Sequence, residues 1–479
     1  MENQRTTGTH RSEITAFVGL LFASFIVNIL AIQIIILGFY SLIILVYFNS
    51  RKDSFWILFF LCVTNNLGGM YGLEQELFSF GLFSLSLVEG VSFAAIIKII
   101  NRRVKRGVYY QKPFLVFILY SGLLVILGFI YGMSFGQTGF GLLYPLLRNV
   151  FLLPLFLTIP RLLWDPEILH NLFRLLFAAV VINLLGQAYT LLTGNQLHTL
   201  TSGRIIPDVW TIRPIYGYYC VFIALFLGFY FLLKPGRGFS FGFAAAIILL
   251  SALSIFITAT RGWIVSVLFI LVAITITTPR LLKRFPLILL GLGIGVFFIT
   301  QSSPVLERQL EYGMQRLSTI EELVRGDLTA GGTMRRLTDR SPRVIKEFYE
   351  KPVFGWGYST HGLNYHDYHV GNQSILMTGG ILGLGIVLYW IFFMVNRPFR
   401  LFKTLKRTGR PVPQLKIIPI FLIGLFIIHS SSTQLFGYMP YFYPIHFNKV
   451  LFLALILSLF NIIYLRNRDN CQHIQNQNP

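Results

Sequence analysis

Apolar runs separated by short polar stretches make up most of this chain. Most runs contain about 17 to 25 residues, and a helix of that length crosses roughly 30 Å of hydrocarbon. They lack the alternation of apolar and polar residues that a membrane barrel requires, so the pattern predicts transmembrane helices. We place spans at residues 14–31, 34–49, 54–71, 77–98, 113–132, 139–159, 168–192, 214–233, 239–258, 262–278, 285–300, 372–394, 417–435 and 447–464.

The predicted fold class is therefore all-α, a polytopic transmembrane helical bundle with one large outer-face loop domain of short helices. The first two spans are closely joined and could form one re-entrant pair, which gives 12–14 spans. We divide the chain into about eleven helices (1–300), a large extracytoplasmic loop (301–371), the last three helices (372–464) and a cytoplasmic tail (465–479). Only 12% of the residues are charged, against about 25% in soluble proteins.

The net charge of +21 is concentrated in short connections between spans. Basic residues without acidic neighbours cluster around 102–112, 234–237, 280–284 and 397–416. This is the distribution that the positive-inside rule gives to cytoplasmic loops, so both termini are expected in the cytoplasm. The basicity thus indicates topology and contact with membrane lipids, and it argues against nucleic acid as a partner.

A polar island at residues 301–371 interrupts the hydrophobic pattern. Apolar positions within 304–324 predict an amphipathic helix that ends near Gly326. A second helix is predicted to begin with Ser341 as its N-cap and to end before Pro352. It should bury the apolar residues Val344, Ile345 and Phe348, and the stretch 355–357 should then turn sharply.

Three groups of arginines are predicted on the outer face, in the 193–213 loop, the 259–261 turn and the island. Arg261 lies between two spans with almost no room for a loop. Its guanidinium could reach lipid headgroups, as interfacial arginines often do, or it could bind a phosphate of a ligand bidentately. The same two alternatives hold for Arg204 and Arg213.

Arg148 lies near the middle of the predicted span 139–159. A charge at that depth costs roughly 2.5–3.5 kcal/mol on insertion scales, so its side chain should face the bundle interior. There it would either pair with a carboxylate such as Glu89 or line a cavity.

Three histidines stand in the island, namely His361, His366 and His369. Their spacing gives no pair of ligands on one helical turn and no carboxylate motif accompanies it, so we expect no metal site. A neutral histidine at the membrane surface suits a general base, and a structural histidine is the competing interpretation.

Several motifs together resemble the O-antigen ligase and O-antigen polymerase superfamily. Members carry a Ser/Thr-Arg-Gly triplet at the start of a helix, which here is Thr260-Arg261-Gly262. They carry an arginine before a Pro-x-x-Gly-x-Gly turn, which here corresponds to Arg335 or Arg336 before the turn at 352–357. They also place a histidine eleven residues before a Gly-x-x-Gly, as His369 stands before the sequence 380–383. In the family an Asn usually follows that histidine directly, whereas two residues intervene here.

The resemblance covers residues 200–394 closely and the first half only in architecture. It implies a glycosyltransferase at the outer face of the bacterial cytoplasmic (inner) membrane. The donor would be a polyprenyl-diphosphate-linked glycan and the acceptor a hydroxyl of a glycan or glycolipid. Transfer would be metal-independent and inverting and would need no cofactor.

In the roles that the resemblance implies, His369 acts as general base and Arg261 and Arg204 hold the diphosphate. Arg213, Arg335 and Arg336 are further candidates for the diphosphate. Polymerase of O-antigen or exopolysaccharide, lipopolysaccharide O-antigen ligase and protein O-glycosyltransferase all remain open. The alternative of another class is a lipid-linked glycan flippase, which would favour charges in both halves of a repeated bundle.

Overall fold

A computed structural model describes most of the chain, and the account below is confined to that part. The described residues are 2–71, 76–80, 83–102, 111–136, 147–148, 150–199, 213–233, 239–278, 336–367, 369–409, 411–431, 434–436 and 443–477, with single positions between 281 and 318. The predicted span 285–300, the predicted helix 304–324, Arg204 and Arg335 lie largely or wholly outside these ranges.

Helices make up nearly all of the described chain. The first seven are α1 (Glu2–Leu30), α2 (Gln33–Asn49), α3 (Asp53–Thr64), α4 (Leu87–Arg102), α5 (Gln111–Ser134), α6 (Leu155–Leu162) and α7 (Ile168–Thr193). The next three are α8 (Tyr218–Leu233), α9 (Phe241–Ile257) and α10 (Arg261–Thr277). The remainder are α11 (Ser341–Glu350), α12 (Thr360–Tyr365), α13 (Gly371–Arg407), α14 (Ile417–Ser431) and α15 (Tyr443–Gln477).

The prediction of an all-α bundle is confirmed at this level. Six helical segments in the described chain are long and apolar enough to cross a membrane, as expected for a multi-pass membrane protein. They are Ser12–Leu30, Lys112–Ser134, Ile168–Thr193, Gly371–Arg407, Pro413–Ser431 and Asn448–Asp469. Six shorter apolar helices of 10–17 residues accompany them.

The predicted span 77–98 is wrong in nearly its first half, up to residue 86. Residues 76–80 and 83–86 form two antiparallel strands, β1 (Glu76–Phe80) and β2 (Phe83–Ser86), in which Phe80 pairs with Phe83. Only then does α4 begin. Aromatic residues favour strands, and a two-residue connection that contains Gly81 suits a hairpin. The sequence pattern predicted a helix here because an alternation of apolar and polar residues over so few positions is hard to distinguish from a helical pattern.

Two antiparallel helices fix which ends of the bundle lie together. The Ser266 hydroxyl in α10 donates to the Gly424 carbonyl in α14 at 2.8 Å. The Lys416 ammonium, before α14, donates to the carbonyl of Thr277, the last residue of α10, at 2.7 Å. The start of α10 is therefore level with the end of α14.

The same end collects three further helix termini, because the Tyr218 ring at the start of α8 lies 4.7 Å from the Trp263 ring near the start of α10. The amide of Asn448 in α15 donates to the carbonyl of Thr64, the last residue of α3. The backbone N–H of Tyr219, in the first turn of α8, donates to the Asn65 side chain just after α3, at 3.0 Å. We call this end, marked by Thr64, Tyr219, Arg261 and Asn448, the mouth.

The two glycine motifs of the sequence lie against each other. The backbone N–H groups of Trp356 and Gly357 donate to the carbonyls of Met377 and Thr378 in α13, at 2.7 and 2.9 Å. At Gly380 the helix is broken, with φ 62° and ψ −163°. A Cβ there would lie 2.2 Å from the Val353 carbonyl oxygen, so the contact requires glycine.

The island helix α11 differs from its prediction in two details. Ser341 is inside the helix rather than its N-cap, because a π-turn at Arg336–Arg340 runs into it. Val344 and Phe348 are buried as predicted, but Glu347 is buried where Ile345 was expected. Glu347 is buried because its carboxylate contacts the His361 side chain. The sharp turn predicted at 355–357 is confirmed, since both of its glycines have positive φ.

Candidate functional site

Arg213 and Arg261 share one side of the mouth. Arg261 is the first residue of α10, and Arg213 lies five residues before α8. Burial lowers the pKa of Arg213, and the positive charge of Arg261 lowers it further. Two half-buried guanidinium groups that repel each other favour a ligand with more than one negative charge between them.

A buried amide network positions the segment that carries Arg213. The Gln187 side chain in α7 donates to the Pro214 carbonyl at 2.9 Å and accepts from the Ser254 hydroxyl at 2.9 Å. Asn183 donates to the same hydroxyl at 3.0 Å and accepts from the Gly68 N–H at 2.9 Å. Because these side chains are buried, the hydrogen bonds to the Pro214 carbonyl and the Gly68 N–H hold both backbone segments in place.

His369 stands in the short connection between α12 and α13. Its backbone N–H donates to the Asp367 carboxylate at 2.9 Å. That carboxylate also pairs with Arg343 at 3.3 Å and with Arg340 at 3.6 Å, and both arginines come from the island. Asp367 thus ties the connection to α11 and to the π-turn before it, while the His369 side chain remains half-buried.

The connection that carries His369 is joined to α14 at the mouth. A Cβ on Gly371 would lie 2.3 Å from the carbonyl oxygen of His429, so the two backbones are in close contact. The next residue, Asn372, donates to the Ser430 hydroxyl at 2.9 Å. His429 follows Gly424 by five residues, as Ser266 follows Arg261, so His369 and Arg261 belong to the same end of the bundle.

His366 faces the interior of this end, three residues before His369. Burial lowers the pKa of His366 to about 4, the charge of Lys449 lowers it too, and the Gln434 side chain and Asp367 act in the opposite direction. The imidazole is therefore neutral at pH 7. Its Nε2 atom is buried without a hydrogen-bond partner among the described residues.

Gln434 and Lys449 lie close to His366, and Lys449 lies close to His429 as well. The exposed fractions of Gln434, His429 and Lys449 are 2%, 0% and 3%. The Nδ1 atom of His429 accepts from the backbone N–H groups of residues 435 and 436, at 3.1 and 3.2 Å. We call the four residues His366, His429, Gln434 and Lys449 the polar chamber. The sequence patterns did not reveal Gln434, His429 or Lys449, although an ionisable residue within an apolar run was a signal for His429 and Lys449.

Arg148 adopts one of its two predicted arrangements. Its Nε atom donates to the Glu89 carboxylate at 2.7 Å, and the backbone N–H of Ser86 donates to the same carboxylate at 2.9 Å. Both charged side chains are mostly buried, at 17% and 12% exposure. The guanidinium is thus occupied by a structural pair at the start of α4.

His361 lies apart from the polar chamber. Its Nε2 atom is 2.6 Å from the Glu347 carboxylate, and its ring stacks on Trp356 with centroids 3.9 Å apart. Glu350 completes a group of three side chains whose ligand atoms lie within 4.8 Å of one another and could hold a metal ion. The histidine spacing alone could not reveal this group, because its carboxylates come from α11.

The candidate arginines of the island itself are only partly described. Arg335 and Arg204 lie outside the described residues, and Arg336 is described as backbone at the start of the π-turn. The described arginines that contact the His369 connection are instead Arg340 and Arg343.

Comparisons with known proteins assign no role to the residues of the candidate site. No protein-family model matches the chain, and no curated protein matches it either. The roles of these residues therefore rest on their arrangement and on the motif resemblance.

Proposed function

We propose that the protein is a membrane glycosyltransferase of the O-antigen polymerase and ligase type. It transfers a glycan from a polyprenyl diphosphate to an acceptor hydroxyl at the outer face of the cytoplasmic membrane. The observation that carries the proposal is the common position of the Arg213–Arg261 pair and the His369 connection at the mouth. A membrane-embedded donor could present its diphosphate to the arginines while its sugar lies below the island.

The chemistry needs two things that these residues supply. The leaving group is a lipid diphosphate, and two guanidinium groups stabilise its developing charge without a metal ion. The acceptor hydroxyl loses its proton as it attacks, and His369 is the general base. Attack on the face opposite the diphosphate inverts the anomeric carbon.

Asp367 has a positioning role in this scheme. Its carboxylate accepts the backbone N–H of His369 and pairs with two island arginines. It thereby sets the direction of the His369 side chain relative to α13. An acceptor that binds against the island would then meet the base in a fixed orientation.

The direct test is His369→Ala in proteoliposomes that contain a polyprenyl-diphosphate-linked glycan and a labelled acceptor. Removal of a general base should lower the rate of transfer by about 10²–10⁴-fold. The matched control is His170→Ala, since His170 lies at the start of α7, away from the mouth. Near-normal transfer by His369→Ala at equal protein level would contradict the assignment.

A second test addresses the diphosphate. Arg261→Lys keeps the charge but loses the bidentate geometry, so the KM for the donor should rise. Arg400→Lys, an exposed arginine in the last third of α13, is the control of the same chemical type. If labelled donor lipid crosses the bilayer without any glycan transfer, the flippase alternative replaces the proposal.

A further inference from the structure

The polar chamber contains more hydrogen-bonding groups than the protein itself satisfies. Within the described chain, four buried atoms at this place have no hydrogen-bond partner: Nε2 of His366, Nε2 of His429, and both amide atoms of Gln434. Such a concentration is unusual, since about nine in ten buried polar atoms have a partner. Each unpaired group lowers the stability of the fold unless a ligand or water binds to it.

Lys449 gives the polar chamber its charge. The lysine is 3% exposed, in the first third of α15, and no described carboxylate forms an ion pair with it. Burying an ammonium without a counter-ion is costly, and an anion bound beside it offsets part of that cost. Asp367, the acidic residue nearest in sequence to the polar chamber, is already engaged by Arg340 and Arg343.

Two neutral members of the polar chamber can donate hydrogen bonds, while the amide oxygen of Gln434 can only accept. The Nδ1 atom of His429 accepts two backbone N–H groups, so its proton resides on Nε2, which can donate. The Gln434 amide offers two further N–H groups. One cation with several neutral donors suits a group with a single negative charge and two oxygens.

The groups of the polar chamber differ from those that bind a diphosphate. A diphosphate carries more than one charge and is best held by paired guanidinium groups, as Arg213 and Arg261 provide. A lysine acts as a single point charge. The two places therefore favour different anions at the same end of the bundle.

We infer that the polar chamber is a binding subsite for the carboxylate of an acidic sugar in the transferred glycan or its acceptor. The inference rests on the proposed function in that the ligand is taken to be part of a glycan. The binding of a sugar carboxylate does not itself depend on glycan transfer. Lys449 binds the carboxylate by charge, and Gln434 and His429 donate hydrogen bonds to its oxygens. Because His366 precedes His369 by three residues, a sugar bound here lies close to the proposed base.

The test uses the purified full-length protein and three probes: methyl β-glucuronide, its neutral counterpart methyl β-glucoside, and inorganic pyrophosphate. Binding is followed by ligand-observed NMR titration. We expect the glucuronide to bind at least tenfold more tightly than the glucoside. Lys449→Met should weaken glucuronide binding at least tenfold and leave pyrophosphate binding unchanged.

Two further variants serve as controls for Lys449→Met. Lys449→Arg keeps the charge and should retain most glucuronide binding, so it provides a readout if Lys449→Met folds poorly. Lys403→Met, an exposed lysine near the far end of α13, should have no effect. Equal binding of glucoside and glucuronide would overturn the inference, and so would loss of pyrophosphate binding in Lys449→Met, because the polar chamber would then belong to the diphosphate.

The outcome separates this inference from the proposed function. If His369→Ala is active but glucuronide binding follows Lys449, the subsite stands and the proposed base is wrong. If His369→Ala is inactive and glucuronide binds no better than glucoside, the transferase stands and the subsite is wrong.

Discussion

Two lysines are buried almost equally in this bundle and have opposite surroundings. Lys98, 1% exposed, forms an ion pair with Asp53, donates to the Tyr47 carbonyl at 2.8 Å and lies 4.1 Å from the centre of the Tyr47 ring. Lys449, 3% exposed, has no such partner in the described chain. Burial of a charge by itself is therefore no guide to function. The state of its partners is the informative quantity.

The two lysines also lie at opposite ends of the bundle. Asp53 begins α3, so its pair with Lys98 lies at the end of α3 opposite to the mouth. Lys449 adjoins Asn448, whose side chain bonds to the last residue of α3 at the mouth. The satisfied lysine thus stabilises one end of the bundle, and the unsatisfied lysine lies where the proposed substrates arrive.

The largest effect should follow from breaking the satisfied pair. Lys98→Met leaves the Asp53 carboxylate buried without its cation, which costs about 3–5 kcal/mol. The free energy of unfolding in mixed micelles measures this loss. Lys52→Met is the control, because Lys52 is an exposed lysine paired with Glu13 and surface pairs contribute little. Unchanged stability of Lys98→Met would remove the contrast between the two lysines.

Acidification should affect the mouth next most strongly. The pKa of His366 is about 4 in the folded protein and about 6.5 when unfolded. The unfolded chain then binds the extra proton first, so stability is present above pH 6.5 and falls as the pH drops toward 4. The slope due to this one group is at most about 1.4 kcal/mol per pH unit.

Unfolding measured at several pH values checks this expectation. His366→Asn should give a shallower decline than the unsubstituted protein between pH 6.5 and 4. Lys449→Met should raise the pKa of His366, because the charge of Lys449 helps to lower it. An identical pH profile for His366→Asn would mean that burial does not lower the pKa of His366 as described.

The pair of Arg148 and Glu89 should give an intermediate result, since both side chains are slightly more exposed. Arg148→Ala leaves the Glu89 carboxylate with the Ser86 donors alone, which should cost about 1–3 kcal/mol. A double-mutant cycle with Glu89→Ala measures the coupling. The double substitution should cost clearly less than the sum of the single ones, and strict additivity would show that the pair contributes nothing.

The smallest change in stability is expected at Lys449. Lys449→Met removes a lone buried ammonium and inserts an apolar side chain of similar length, so the free energy of unfolding should stay the same or increase. The same unfolding assay measures it, beside Lys98→Met. A loss as large as that of Lys98→Met would indicate that Lys449 has a structural partner after all.

The sequence predicted the helices well where the hydrophobic pattern was long and regular. The span predicted at 168–192 is a helix at Ile168–Thr193, and the pairing of Arg148 with Glu89 was one of two stated outcomes. The hairpin at 76–86 was missed because a strand of five residues and a short apolar helical segment have similar composition. Local patterns could not distinguish them without the neighbouring α4.

Residues of the candidate site could be predicted where they belong to motifs or, like Arg213, lie in a predicted outer loop. The triplet at 260–262 and the histidine at 369 were identified by spacing, and the glycine stretches at 352–357 and 380–383 do meet. Gln434 and Lys449 have no motif, and they are brought beside His366 by three different elements. Their proposed role depends on the lack of hydrogen-bond and ion-pair partners among the described residues, and a sequence does not reveal such a lack.

The break in α13 at Gly380 also gives the protein a preferred membrane thickness. From Ile381 to Arg397, the first basic residue after the break, the helix is about 25 Å long, somewhat less than a typical hydrocarbon core of about 30 Å. Before the break, the carbonyls of Met377 and Thr378 accept hydrogen bonds from the island turn at Trp356 and Gly357. In a thicker bilayer, lipid would have to thin locally around α13 or cover the mouth. We therefore expect access of the proposed acceptor to depend on the length of the acyl chains around the protein.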